Sequence, residues 1–230
     1  DDVFGLLLQV IPLGIGAALT PSLLGLQILT TSRSPWRARA TAVILGCALA
    51  FGIAITALLL GFAQLPHRPP GRDVITGVVW SAAGVVLAVI AVILFRPHPG
   101  LERRVEESMT RHMNDARTWT FFTLAFALSI KDVSSFVLLV PATHDIAVSP
   151  EPLVVRAAFL VLLIALALSP VLAPPGIRLI LGHRADTVMT RLYRAIMDHQ
   201  LQIAGGVSAA FAIYLVAYGL GPNGLAVYAG

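Results

Sequence analysis

The chain has 230 residues, 57% of them hydrophobic and only 12% charged, with a mean hydropathy of +0.84. Soluble domains carry about a quarter charged residues, so this composition excludes an ordinary water-soluble domain and points to lipid surroundings. The net charge of +4 does not indicate nucleic acid, because the basic residues gather at the ends of apolar runs, and the single cysteine, Cys47, excludes an internal disulfide and a cysteine-based zinc site.

A membrane helix needs about 20 mostly apolar residues. The first such run spans about Val3 to Thr31, too long for a signal-peptide core of about 7–15 residues. It is interrupted by Pro12, Gly14 and Gly16, and then by Thr20-Pro21. The second run covers about Thr41 to Gln64 and ends in the polar turn 66–72. The third covers about Val74 to Phe95 and stops at Arg96-Pro97. Residues 96–117 form a charged connector in which Leu101, Val105, Met109 and Met113 recur every four residues. That spacing predicts an amphipathic helix, lying either at the membrane interface or against the protein. The fourth span covers about Trp119 to Pro141, followed by a polar loop from Thr143 to Pro152. The fifth, about Leu153 to Leu181, is expected to break at Pro170 and at Pro174-Pro175-Gly176. A second basic connector, 182–200, precedes a sixth span over about Leu201 to Leu220.

The expected fold is therefore all-α: one polytopic membrane domain over residues 1–230 with six transmembrane helices. The connectors after spans one, three and five hold twelve of the sixteen Lys and Arg residues, which places them in the cytoplasm and both termini outside. Six spans divide into three plus three. An odd number per half inserts the second half upside down, the inverted-repeat plan of many secondary transporters. Residues 1–95 then form the first repeat, 96–117 the cytoplasmic connector and 118–230 the second repeat. In this arrangement Thr20-Pro21-Ser22 and Ser129-Ile130-Lys131-Asp132 fall at similar depths in corresponding helices.

Lys131 and Asp132 carry the most chemistry. A charge at a helix centre costs about 2.5–3.5 kcal/mol on insertion scales, so a buried pair in span four must find partners or water. Adjacent helical residues face different ways, so at least one needs a partner on another helix. The pair reads either as a substrate or ion site or as an ion pair that fixes packing, and a helix break that puts Lys131 at a boundary is a third reading. Pro21 has no N–H for the carbonyl four residues back, and freed backbone groups at membrane depth must be buried in protein or face a cavity. Thr20, Pro21 and Ser22 thus read as part of a site or as a packing kink, with Ser129 and Pro170 as further candidates. Gln9, Gln27 and Thr56 read as helix-packing hydrogen bonds, and the small residues from Gly205 to Ala212 as a close helix contact. Tyr214, Tyr218 and Tyr228 read as an interfacial aromatic belt. The histidines are assigned to loops and show no metal-ligand spacing. No nucleotide loop, nucleophile motif or metalloprotease motif occurs, so neither an enzyme nor a cofactor is expected.

The run from Ala18 to Ala40, Ala-Leu-Thr-Pro-Ser-Leu-Leu-Gly-Leu-Gln-Ile-Leu-Thr-Thr-Ser-Arg-Ser-Pro-Trp-Arg-Ala-Arg-Ala, followed by an apolar span with Gly46, resembles the GAP family of the LysE transporter superfamily. The later stretches Leu168-Ser-Pro-Val-Leu-Ala-Pro-Pro175 and Tyr214-Leu-Val-Ala-Tyr-Gly-Leu220 are similar to it too. The resemblance implies a small six-helix exporter in the inner membrane, without its own ATPase. It implies a lipid or glycolipid as cargo, moved toward the cell envelope. Pro21 matches the family's first-helix proline. Lys131 falls where the wider superfamily carries Asn-Pro-Lys, although this chain has Ser129-Ile130-Lys131. Two alternatives remain open: a proton-coupled exporter of a small solute, with Asp132 as its protonation site, or an accessory subunit of a larger lipid exporter. The expected partners are membrane lipids, a larger lipid transporter or a second copy of the chain, and no nucleic acid.

Overall fold

A computed structural model describes residues 2–18, 20–32, 35–63, 74–95, 117–197 and 199–220. The described residues form nine α-helices and no strand. In chain order these are α1 (Asp2–Ala18), α2 (Pro21–Thr31), α3 (Trp36–Ala63), α4 (Val74–Phe95), α5 (Thr118–Lys131), α6 (Val133–Val148), α7 (Leu153–Leu181), α8 (Ala185–Met197) and α9 (Gln200–Leu220). A single 3-10 turn, Gly182–Arg184, joins α7 to α8. The amphipathic stripe expected over 96–117 lies outside the described residues, as does Tyr228.

Three helices, α3, α7 and α9, are each long and apolar enough to cross a membrane. The pairs α1–α2 and α5–α6 reach that standard as broken spans, bent by 61° and 68°, so there are three to five candidate spans. The two breaks have different causes. Pro21 opens α2 and holds Thr20 in an extended conformation (φ −104°, ψ 99°), because the proline ring crowds the preceding residue out of the α region. The second break contains no proline. There the Asp132 side chain accepts from the Ser135 N–H and caps α6, with its own backbone at φ −79°, ψ 81°.

The prolines of α7 do not break it where a break was expected. Helix α7 runs without interruption through Pro170, Pro174 and Pro175, since its packing against α1, α2 and α3 surrounds the freed groups. Helix α6 likewise continues past Pro141, so Thr143, His144 and Asp145 are buried helical residues and not a polar loop. Arg156 from α7 stabilises that extension. Its Nε donates to the Ile146 carbonyl at 3.0 Å and its Nη2 to the Ala147 carbonyl at 2.5 Å, a basic side chain answering orphan carbonyls at a helix C-terminus. The second basic connector contains α8, whose Ala185 and Met189 are buried while most of its polar face is exposed.

Close helix approach depends on a few glycines. A Cβ on Gly46 of α3 would lie 2.5 Å from the Phe122 carbonyl of α5, and one on Gly84 of α4 would lie 2.7 Å from Val216 of α9. Gly219 fits against Ser81 in the same α4–α9 seam. The close contact expected over Gly205–Ala212 is present at Ala212, whose carbonyl would lie 3.1 Å from a Cβ on Gly84, while Gly206 has open space beside it. Tyr214 and Tyr218, expected in an aromatic belt, are half-buried. They pack on Trp80, with the Tyr218 ring 4.2 Å from the Trp80 ring, and Gln9 of α1 donates to the Tyr218 hydroxyl.

Candidate functional site

The two helix breaks meet. With α1 ending at Ala18 and no N–H on Pro21, the Ala17 carbonyl loses its helical donor. Ser135, in the first turn of α6, replaces it: its Oγ lies 2.7 Å from the Ala17 carbonyl. The same Oγ lies 2.5 Å from Asp132 Oδ2 and 3.0 Å from Thr20 Oγ1. Thr20 Oγ1 in turn donates to Asp132 Oδ2 at 2.5 Å. On the other carboxylate oxygen, Oδ1, Ser134 Oγ donates at 2.6 Å and the Ser135 N–H at 3.4 Å. Thr20 and Ser135 are buried and Asp132 is half-buried. Asp132 is thus held by hydroxyls and a backbone N–H from both broken spans, and its charge is answered by hydrogen bonds.

Lys131 behaves differently. The break makes it the last residue of α5, and it is exposed, not buried in the middle of a continuous helix. Among the described residues it makes no ion pair. It lines a cavity of about 320 Å³, together with Gly16, Thr20, Pro21 and Ser22 from the first break and Asp132, Val133 and Ser134 from the second. Ile90 of α4 and Ala204, Val207 and Ser208 of α9 close the other side. The start of α2 also faces this space. Its N-cap residue Thr20 makes no side-chain cap bond, because its hydroxyl is turned to Asp132, so the positive end of the α2 dipole is left uncapped beside the cavity.

Five of the seven residues singled out from the sequence line this cavity: Thr20, Pro21, Ser22, Lys131 and Asp132. Ser129 does not. It is buried and donates to the Ala125 carbonyl at 2.8 Å. Pro170 is half-buried within α7, away from the cavity lining. Ser134 and Ser135 went unnoticed in the sequence, although an aspartate followed by serines at the start of an apolar run is a readable N-cap signal. The lower end of α2 is fixed separately. Arg178 of α7 donates to the Thr31 carbonyl and lies 3.3 Å from Asp186 of α8. Gln27 Nε2 reaches the Ala40 carbonyl of α3 at 3.4 Å, whereas Thr56 bonds only within its own helix.

These features define a helical membrane protein in which two broken helices converge on a cavity that holds one unpaired cation. The chain belongs to the Sap, sulfolipid-1-addressing protein (SfLAP) family, whose profile matches residues 10–221. No curated protein and no solved structure matches it.

Proposed function

We propose that this protein is an inner-membrane exporter that moves an anionic lipid of the sulfolipid class toward the cell envelope. The observation that carries this reading is the inequality between the two charges in the cavity: Asp132 accepts from Thr20, Ser134 and the Ser135 N–H and shares the Ser135 hydroxyl with the Ala17 carbonyl, while Lys131 has no ion-pair partner among the described residues. Lys131 and the uncapped N-terminus of α2 give the cavity a net preference for an anion. A volume of about 320 Å³ sits at the small end of ligand pockets. It suits a polar headgroup, while acyl chains would stay in the bilayer. The family's name, sulfolipid-1-addressing protein, agrees in sign with an anionic cargo.

In this reading α4 is a sixth span beside the three continuous and two broken ones. The halves 1–95 and 118–230 are inverted repeats whose broken first helices meet at Thr20 and Asp132, as in transporters of the LysE superfamily to which the GAP family belongs. Both termini face outward. The protein acts without enzymatic chemistry, on membrane lipids, alone, as a homo-oligomer or beside a larger lipid transporter.

The test uses purified protein in liposomes with a labelled sulfated glycolipid. A hydrogen bond to a charged group contributes about 1.5–3 kcal/mol, so Lys131→Ala should slow translocation about 10- to 100-fold, while Lys131→Arg retains most of it. A zwitterionic lipid should move no faster with wild type than with Lys131→Ala. Equal rates for wild type and Lys131→Ala with the sulfated lipid would refute the assignment.

A further inference from the structure

A second polar cluster lies one α6 helix length from the cavity. Asp145 is 8% exposed and His144 1% exposed, in a wall of helices where uncompensated charge is costly. His144 Nδ1 and Asp145 Oδ1 are 3.4 Å apart, and Trp80 Nε1 of α4 donates to the same Oδ1 at 3.2 Å. Asp145 Oδ2 and the buried Thr143 Oγ1 have no hydrogen-bond partner among the described residues. A carboxylate with one unanswered oxygen, set beside an imidazole, has vacant capacity for one proton.

We infer that His144 and Asp145 form a proton-binding site. Binding transfers one proton from water to the pair and changes no other covalent bond. The proton resides either as a neutral acid beside a neutral imidazole or as a carboxylate beside an imidazolium, and both states carry no net charge. Without it the pair carries one negative charge. Among the described residues, no Lys or Arg forms an ion pair with Asp145. Helix α3 presents Phe62, whose ring is 5.0 Å from that of His144. Helix α4 presents Trp80, and α9 presents Tyr214 and Tyr218 around it. Helix α1 presents Gln9, bound to Tyr218. The guanidinium of Arg156 on α7 is engaged by the Ile146 and Ala147 carbonyls.

The cluster gathers side chains from α1, α4, α6 and α9, and all four of these helices also line the cavity, through Gly16, Ile90, Ser134 and Ser208. Val133 and Asp145 lie on one uninterrupted helix, about 18 Å apart at 1.5 Å per residue. Loss or gain of a proton alters the hydrogen bonds that hold these helices together, and so the walls of the cavity. This second step rests on the reading of the cavity as a transport site; the proton site itself does not.

The experiment is a pH titration of Trp80 fluorescence in liposome-embedded protein, in a Trp36→Phe/Trp119→Phe background that leaves one of the three tryptophans. A transition of one proton is expected across the titration. His144→Gln and Asp145→Asn should each abolish it, and Asp132→Asn should leave it in place. Infrared difference spectra over the same titration provide a second measurement, and the unaltered chain should show a carboxyl or imidazole signal that is missing from the Asp145→Asn and His144→Gln spectra. A flat titration together with a silent infrared difference, persistence of the transition in both pair variants, or its loss in Asp132→Asn would overturn the assignment. No lipid substrate enters the measurement, so its outcome is separate from that of the translocation assay.

Discussion

The side chains where the helix breaks meet divide into those that hold the structure and one that is free to act. Pro21 removes a donor, Ser135 restores it from another helix, and Thr20 ties the repaired end to Asp132. Removing either hydroxyl leaves the Ala17 carbonyl and Asp132 Oδ2 with one donor between them, and each lost hydrogen bond costs about 0.5–1.5 kcal/mol. Ser135→Ala should therefore lower thermal stability in detergent more than Ser134→Ala, because Ser135 answers both Ala17 and Asp132 while Ser134 answers Asp132 alone. Equal melting temperatures for the two variants would contradict this division of roles. Sequence reading identified Thr20, Pro21 and Asp132 because a proline in an apolar run and a charge in a membrane span are conspicuous against their surroundings. It passed over Ser135, because a serine in an apolar helix looks the same whether it bonds its own turn, as Ser129 does, or a carbonyl 118 positions away.

Among the elements, two seams are closed by glycine. A side chain on Gly46 would meet the Phe122 backbone carbonyl, which cannot rotate aside as a side chain can. Gly46→Ala should therefore cost about 1–3 kcal/mol through overpacking and loosen α3 from α5. Gly206→Ala has open space and should be neutral, or stabilising by up to about 1 kcal/mol from helix propensity. Thermal melts of the two variants in the same detergent should move in opposite directions or leave Gly206→Ala unmoved. The pair Gly205–Gly206 is conspicuous in the sequence, yet the glycines without room include Gly16, Gly46, Gly84 and Gly219, while Gly206 has space. Composition shows where helices can approach, but the crossing points are set by which faces meet. Helix ends were similarly legible where polar residues cluster and illegible at 143–145, where Trp80, Phe62 and Arg156 turn an apparent polar loop into a buried helical turn.

For the whole molecule, the proposed topology makes a prediction that Cys47 makes convenient to check. It is the sole cysteine and is buried, so an introduced cysteine reports alone. Ser149→Cys and Thr187→Cys lie beyond opposite ends of α7, a helix of 29 residues. In intact cells stripped to the inner membrane, an impermeant maleimide should modify Ser149→Cys directly and Thr187→Cys only after permeabilisation; the reverse pattern would invert the topology. The sequence by itself determined the membrane environment, the positions of the apolar helices and the interruption at Pro21. These follow from composition, hydrophobic length and the missing N–H of proline, all local properties of the chain. Only the tertiary structure decided that the two interruptions touch, that Asp132 is satisfied while Lys131 is not, and that His144 and Asp145 are buried beside Trp80. Those outcomes depend on which helix faces which, and hydrogen bonding between residues more than a hundred positions apart leaves no trace in local pattern.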